Sequence, residues 1–193
     1  MKRSKKKQIV IVGAGLIGST MAIALASKGF DVTIVDGAKN RDRIERNKGR
    51  TYALSRTSKN LLFNLGLWDP KKLKVSPIKN IVLSTKKGSN DLIRNLAGFY
   101  ESNSIVDPSS YMIEDFYLRT ALASEINKNT KIQLIDSLEV IQDETNSFET
   151  KIMLSDKSSI RAEILIISDG RNSGFAKRLN KRFFSKSYKQ IAI

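Results

Sequence analysis

The chain has 193 residues, of which 40% are hydrophobic, and it carries a formal net charge of +15. This size and hydrophobic content predict a globular protein with one substantial core and part of a second domain. Cysteine and histidine are both absent, which excludes disulfides, thiolate metal sites and histidine-based catalytic triads. We therefore expect any chemistry to come largely from a cofactor, and we assign no metal ligand.

The chain starts with a basic segment, residues 2–7, which precedes an apolar run. A basic start, an apolar run and the small residues 24–26 are also features of a secretion signal. Three glycines interrupt the run, however, and a second apolar run follows it and ends in an acid. No apolar stretch of about 18 uninterrupted residues is present, so no transmembrane helix is predicted. The pattern favours a nucleotide-binding unit over an export signal.

Residues 8–36 have the strand, glycine-rich turn, helix and strand order of a dinucleotide-binding unit. Gly13 is predicted to make the tight turn, Gly15 to let the backbone approach a pyrophosphate, and Gly18 to let the helix pack on the strand. The backbone amides of Leu16, Ile17 and Gly18 would present the positive end of the helix dipole to the phosphates.

The second strand of this unit, DVTIVD, ends at Asp36. A carboxylate at this position can accept hydrogen bonds from the ribose hydroxyls and would repel a 2′-phosphate. The unit is therefore predicted to bind an adenosine without that phosphate, as in FAD or NAD.

The remaining elements are predicted from periodicity and from turn residues. In chain order we expect the first helix to end at Gly29, followed by a polar loop over 37–50, a helix from Ser55 to Gly66, a strand over 78–84, a turn over 86–90, a strand over 92–99, a helix over 114–128, and β-runs at 131–135, 138–142, 148–155 and 159–170. The four β-runs are predicted to form an antiparallel meander whose last run returns to a parallel sheet. The fold class is therefore α/β.

Three separated motifs carry a family resemblance: VGAGLIG at 12–18, RTYALS at 50–55 and IISDGRNS at 166–173. With them, the chain resembles the FAD-dependent aromatic hydroxylases, the group that contains p-hydroxybenzoate hydroxylase. Residues 50–68 and 76–84 look most like the ubiquinone-biosynthesis hydroxylases. The resemblance implies a Rossmann-like FAD-binding domain with a parallel sheet, an antiparallel meander and the start of a substrate-domain sheet.

The resemblance also implies domain boundaries. Residues 1–75 would form the first FAD-binding part, 76–110 the first part of the substrate domain, 111–180 the continued FAD-binding domain with the meander, and 181–193 the entry into the substrate domain. Members of the family are about twice as long, and the resemblance places their second flavin motif, Gly-Asp, after Ile193. We therefore expect a truncated chain that alone is inactive.

Carried over to this sequence, the resemblance assigns cofactor contacts but no catalytic residue. It gives Gly13, Gly15, Ile17 and Gly18 to the FAD pyrophosphate and Asp36 to the ribose. Two further cofactor contacts are Arg50 and Asp169. Arg50 could instead pair with Glu45 or Asp42 on the surface, and Asp169 could be the N-cap of the next helix.

Asp115 departs from the family pattern. The family usually has glutamine, asparagine or arginine here, facing the cofactor. A carboxylate would repel phosphate or reduced flavin unless a nearby lysine screened it.

The implied function is a monooxygenase that uses FAD, NAD(P)H and O2 to hydroxylate an aromatic ring of a ubiquinone precursor. Its partners would be a prenylated phenol and O2, and it would associate either with a membrane surface through the basic segment or with a multi-enzyme ubiquinone complex. A cytoplasmic location, with contact at the inner face of the membrane, is expected. Two alternatives stay open: an NAD-dependent Rossmann oxidoreductase, and a non-catalytic basic protein that binds nucleic acid or a membrane surface. The spread of lysines along the chain predicts no specific nucleic-acid binding.

Overall fold

The computed structural model describes residues 8–39, 42, 44, 45, 48–86, 93–100, 108, 110–170 and 173–175. Its helices and strands are, in chain order, β1 (Gln8–Val12), α1 (Leu16–Ser27), β2 (Asp31–Asp36), β3 (Thr51–Ser55), α2 (Arg56–Asn64), α3 (Pro70–Leu73), β4 (Ser76–Pro77), β5 (Asn80–Lys86), β6 (Ile93–Tyr100), β7 (Ser110–Glu114), α4 (Asp115–Lys128), β8 (Ile132–Asp136), β9 (Val140–Thr145), β10 (Thr150–Leu154), β11 (Ser159–Ala162) and β12 (Ile164–Ile167).

A four-stranded parallel sheet, in the order β12-β1-β2-β8, forms the centre of the fold. Strands β1 and β2 are buried after their first residues, as expected for strands covered on both faces. Because successive side chains point to opposite faces, Ile9 and Ile11 pack in the cluster that contains α1 and α4. Val10 and Val12 pack in a second cluster, with residues of the meander β9–β10–β11. The parallel sheet therefore lies between a helical layer and an antiparallel sheet.

Two smaller sheets complete the described part. Strands β3, β7 and β4 form a three-stranded antiparallel sheet in the order β3-β7-β4. Strands β5 and β6 pair antiparallel as a separate two-stranded sheet. This pairing confirms the two strands predicted for 78–84 and 92–99, with their bounds shifted by one or two residues. Within the predicted turn, Lys86 belongs to β5, and 87–90 lie outside the described residues.

The sequence predicted α1, α2 and α4 well. Helix α2 begins after Ser55, whose hydroxyl accepts the Ser58 N–H at 3.2 Å, and Gly66 follows its end with a φ of +72°. Positive φ is where a glycine is favoured after a helix. Gly29 takes the same role after α1, with a φ of +91°.

Two predictions from the sequence were wrong. Residues Asp42, Ile44 and Glu45 are helical, within a segment predicted to be a loop. The run at 131–135 belongs to the parallel sheet as β8 and not to the meander, because it follows α4, which packs beside α1 and delivers the next strand to the edge next to β2. The predicted return of the run at 159–170 to the parallel sheet is confirmed, since this run contains two strands: β11 closes the meander and β12 pairs with β1.

No helix within the described ranges is long and apolar enough to cross a membrane.

Candidate functional site

A cleft of about 420 Å³ opens at the carboxyl ends of β1 and β2. Ligands of open α/β sheets bind at this edge, and the volume lies within the range of small-molecule sites. Its lining brings together three residues predicted from the sequence, Gly13, Asp36 and Asp169. The other lining residues are Val12, Val35, Gly37, Ala38, Leu138, Glu139, Val140, Gly174 and Phe175.

The glycine-rich turn at the edge of this cleft is tightly constrained. Gly13 has a φ of +106°, and its amide donates to the Val35 carbonyl at 2.7 Å. A Cβ on Gly13 would lie 2.5 Å from the Ser168 carbonyl oxygen, and one on Gly18 would lie 1.9 Å from the Gly13 carbonyl oxygen. Both positions therefore need glycine so that the backbones can approach each other.

Gly15 differs from these two glycines. A Cβ on Gly15 would have no other heavy atom within 4 Å. Its φ is −70°, an ordinary value for any residue, so the fold itself does not require glycine here. The space in front of Gly15 is open to a ligand.

Helix α1 begins at this turn without a side-chain cap. The first intrahelical bond here runs from the Ser19 amide to the Gly15 carbonyl at 2.9 Å. The first amides of a helix have no hydrogen-bond partner within it. The amides of Leu16, Ile17 and Gly18 are therefore of the kind that can donate hydrogen bonds to an anion. The Ile17 side chain is 72% exposed, so the predicted pyrophosphate contact of this residue concerns its backbone amide alone.

Asp36 links the end of β2 to the turn. Its side chain is buried, its Oδ2 accepts the Ala14 amide at 2.5 Å, and its Oδ1 accepts the Ala38 amide at 2.8 Å. Each carboxylate oxygen can accept more than one hydrogen bond, so the predicted ribose contact is compatible with these bonds. The structure adds a role that the sequence did not suggest: Asp36 fixes the conformation of the turn.

Asp169 and Ser168 follow β12 beside the same turn. The Asp169 Oδ2 accepts the Phe175 amide at 3.3 Å, so the carboxylate bonds to the backbone of a helical segment six residues along, but Asp169 does not occupy the N-cap position of that segment. The Ser168 hydroxyl lies 3.0 Å from the Val12 carbonyl oxygen and 3.1 Å from that of Gly13. Sequence reasoning missed Ser168, because only the pairing of β12 with β1 brings it there.

The cleft is acidic although the chain as a whole is strongly basic. Among the residues that the structure describes, its lining includes the carboxylates of Asp36, Glu139 and Asp169 and no lysine or arginine. A phosphate bound near this lining must therefore be stabilised by backbone amides. Glu139 was not predicted from the sequence, because it reaches the cleft only through the packing of β9 against the end of β2.

Arg50 does not line this cleft. Its guanidinium lies 5.0 Å from the centre of the Tyr52 ring, and its carbonyl accepts the Asp115 amide at 2.8 Å. The alternative surface pair with Glu45 is not observed, since Glu45 pairs with Lys48 at 2.6 Å.

Asp115 is wholly buried at the first turn of α4. Its Oδ2 accepts a hydrogen bond from Arg119 Nε at 2.5 Å, and its Oδ1 has no hydrogen-bond partner among the described residues. The predicted problem of an unscreened carboxylate is thus avoided by an arginine one turn along the helix, not by a lysine. Burial raises the pKa of the neighbouring Tyr52 hydroxyl, and the Asp115 carboxylate adds to the rise.

Within the described ranges, no group of three histidine, cysteine, aspartate or glutamate residues is placed to hold a metal ion.

A family model described as "Ketopantoate reductase PanE/ApbA" matches residues 9–107. This range contains β1, α1 and β2 with the glycine-rich turn, a unit that flavin enzymes and NAD enzymes both use. The match therefore assigns the first half of the chain to a Rossmann-type dinucleotide-binding unit.

Curated relatives extend the comparison to nearly the whole chain. The chain is 28% identical over 190 residues to "Ubiquinone hydroxylase UbiL" of Rhodospirillum rubrum, covering 98% of this chain and 43% of the relative. It is 26% identical over 169 residues to the "3-demethoxyubiquinol 3-hydroxylase" of Escherichia coli, covering 86% of this chain and 42% of the relative. The chain thus spans less than half the length of these relatives.

A solved structure gives the same fold. The flavin-dependent monooxygenase PieE, solved with FAD and substrate, superposes with a TM-score of 0.67 at 19% identity, over 92% of this chain and 32% of PieE. Together, the curated relatives and the solved structure support an FAD-dependent hydroxylase family for this chain, over the N-terminal region of that family. Elements after residue 107, including α4 and the meander, fall outside the match to the reductase model. They lie within the match to UbiL. The hydroxylase resemblance seen in the sequence is confirmed, as is the Rossmann-like FAD-binding fold.

A first prediction concerns Gly15 and Gly18, two glycines of the same turn with different surroundings. Gly18→Ala should lower the free energy of unfolding by about 2 kcal/mol or more, because its Cβ would overlap a backbone carbonyl. Gly15→Ala should cost less than about 1 kcal/mol, the scale of an altered helix N-cap. Urea unfolding without nucleotide measures both values. Equal losses for the two variants would contradict the described turn.

A second prediction concerns the buried pair of Asp115 and Arg119. Arg119→Met should cost about 3–5 kcal/mol, because it leaves a buried carboxylate unpaired. The double variant Asp115→Asn/Arg119→Met should recover most of this loss, since no buried charge is left. The matched control is Arg161→Met, which removes an exposed pair with Glu149 and should cost less than about 1 kcal/mol. A loss for Arg119→Met no larger than that of the control would contradict the assignment of a buried pair.

Proposed function

We propose that these residues bind the adenosine and pyrophosphate of FAD in a monooxygenase that hydroxylates the aromatic ring of a ubiquinone precursor with NAD(P)H and O2. The observation that carries the proposal is the cleft, in which a glycine-rich turn, an uncapped helix N-terminus and a strand-ending carboxylate meet. The two curated relatives, a ubiquinone hydroxylase and a 3-demethoxyubiquinol 3-hydroxylase, support the ubiquinone-related substrate.

The cofactor would be held mainly by the backbone. Gly13 and Gly15 let the chain approach the pyrophosphate, and the amides of Leu16 to Gly18 stabilise its charge without a basic side chain. Asp36 accepts from the ribose. This arrangement suits FAD, whose adenosine carries no 2′-phosphate.

Two further contacts, Arg50 and Asp169, follow from the family resemblance. Asp169 lines the cleft, and Arg50 lies outside its lining. We therefore assign Arg50 to a part of the cofactor beyond the adenosine, where its forked donors suit phosphate or a flavin that gains negative charge.

The reactive group of this proposal is the flavin, which supplies the electron transfer and oxygen activation when bound. The task of the described residues is to bind and orient its nucleotide half, which fits a chain without histidine or cysteine. On this basis, residues 1–75 and 111–180 belong to the FAD-binding domain, and residues 76–110 and 181–193 to the substrate domain.

The proposed partners are a prenylated phenolic substrate and O2. Cytoplasmic location, contact with the inner face of the membrane and membership of a multi-enzyme complex stay predictions. The basic segment 2–7, on which the membrane contact depends, lies outside the described residues.

A second candidate is a nicotinamide-dependent reductase, which the match of residues 9–107 favours. An acidic cleft beside a glycine-rich turn would suit NAD as well as FAD. The relatives that match beyond residue 107 favour FAD. No observation on the described residues favours the nucleic-acid alternative.

A third prediction tests cofactor binding by this chain. Gly15→Val should weaken FAD binding by at least about 30-fold, because a branched side chain would occupy the open space at the helix N-terminus and displace several amide–phosphate hydrogen bonds of ~1 kcal/mol each. Flavin fluorescence titration of wild type and variant measures this, with NADH titrated in parallel.

The matched control is Gln133→Val, which places the same side chain at an exposed position on β8. It should leave FAD binding unchanged. FAD binding that survives Gly15→Val would contradict the proposed pyrophosphate site, and saturable NADH binding without FAD binding would favour the reductase.

A further inference from the structure

Glu139 occupies a fixed position at the edge of the cleft. The Leu138 amide donates to the Asp36 carbonyl at 3.2 Å, which joins this segment to the end of β2. The Glu139 amide donates to the Ser155 hydroxyl at 3.2 Å, and the Ser155 amide donates to the Glu139 carbonyl at 2.8 Å. The backbone of Glu139 is therefore held on both sides.

The side chain of Glu139 lies over Gly37. A Cβ on Gly37 would lie 2.6 Å from Glu139 Cγ and 3.2 Å from its Oε1. Glycine at position 37 therefore leaves the room that the glutamate side chain occupies. Gly37 follows Asp36 in the chain. Both Gly37 and Glu139 line the cleft where the ribose of a bound nucleotide is proposed to lie.

Asp36 and Glu139 differ in how their charges are presented. Asp36 is 3% exposed, and each of its oxygens accepts a backbone amide. Glu139 is exposed, and its carboxylate has no hydrogen bond or ion pair to any part of the chain that the structure describes. The carboxylate that an incoming phosphate meets in the cleft is therefore that of Glu139, whose charge is neither buried nor hydrogen-bonded.

We propose that Glu139 determines the nucleotide specificity of the cleft, accepting adenosine with free ribose hydroxyls and rejecting a 2′-phosphate. This inference rests on the proposed function, because it needs the adenosine to lie in the cleft. It moves the discrimination predicted for Asp36 to a second carboxylate, while Asp36 holds the turn. The repulsion acts through solvent at a partly open edge, so it should weaken as salt is added.

The test uses ADP-ribose and 2′-phospho-ADP-ribose, which differ only in that phosphate, as competitors of FAD on the full chain. Wild type should prefer ADP-ribose by about tenfold or more in low salt, the size of a repulsion between close charges near a surface. Glu139→Gln should reduce this preference at least about threefold, and Glu139→Lys should abolish or reverse it. In high salt the preference of wild type should shrink toward that of Glu139→Gln.

The matched control is Glu144→Gln, which removes an exposed carboxylate from β9, the strand that follows Glu139, but outside the cleft. It should keep the wild-type preference. Thermal unfolding of each variant without nucleotide should stay at the wild-type value, because both glutamates are exposed.

The outcomes separate this inference from the proposed function. If wild type binds FAD and prefers ADP-ribose, but Glu139→Gln keeps the full preference, the specificity lies elsewhere and the inference is wrong while the proposed function stands. If neither FAD nor ADP-ribose binds the wild-type chain, the proposed function and this inference both fail.

Discussion

The carboxylate of Asp36 is the interaction on which the cleft depends. It joins the end of β2 to the glycine-rich turn through the Ala14 amide and to the following segment through the Ala38 amide. The Gly13 amide adds a bond to β2 at Val35, and the Ser168 hydroxyl contacts the turn from the side of β12. The turn that would receive a pyrophosphate is therefore shaped by bonds within the chain. A site formed in this way does not have to be ordered by its ligand, which favours binding.

Charge acts locally in this molecule. The chain carries a net charge of +15, but the described residues that line the cleft include three carboxylates and no basic side chain. Attraction to phosphate must come from oriented amides at the start of α1, whose partial charges are fixed in direction. The carboxylates instead suit the hydroxyl groups of a ribose. Asp115 also has a local partner, because Arg119, one turn along the helix, donates a hydrogen bond to this wholly buried carboxylate.

Local patterns predicted the nucleotide-binding unit because its residues are close in the chain. The spacing of Gly13, Gly18 and Asp36 encodes a turn, a close helix–strand contact and a strand end within 36 residues. Glu139 and Ser168 could not be found in this way, because the fold brings Glu139 to the cleft and Ser168 to the glycine-rich turn from more than 100 residues away. The placement of β8 failed for the same reason: a short apolar run does not specify which sheet it joins. The four-residue spacing of Asp115 and Arg119 was visible in the sequence, but the burial of that pair depends on tertiary packing.

The central claim, that Asp36 shapes the turn before any nucleotide binds, is tested most directly by urea unfolding of wild type and Asp36→Asn without nucleotide. Asparagine has nearly the same shape but presents an NH₂ group to one of the two backbone amides, so one buried bond is lost. We expect the variant to lose about 1–3 kcal/mol of unfolding free energy in the absence of ligand. An unchanged unfolding free energy, with weakened FAD binding as the variant's only defect, would show that Asp36 acts on the ligand alone and would contradict this account.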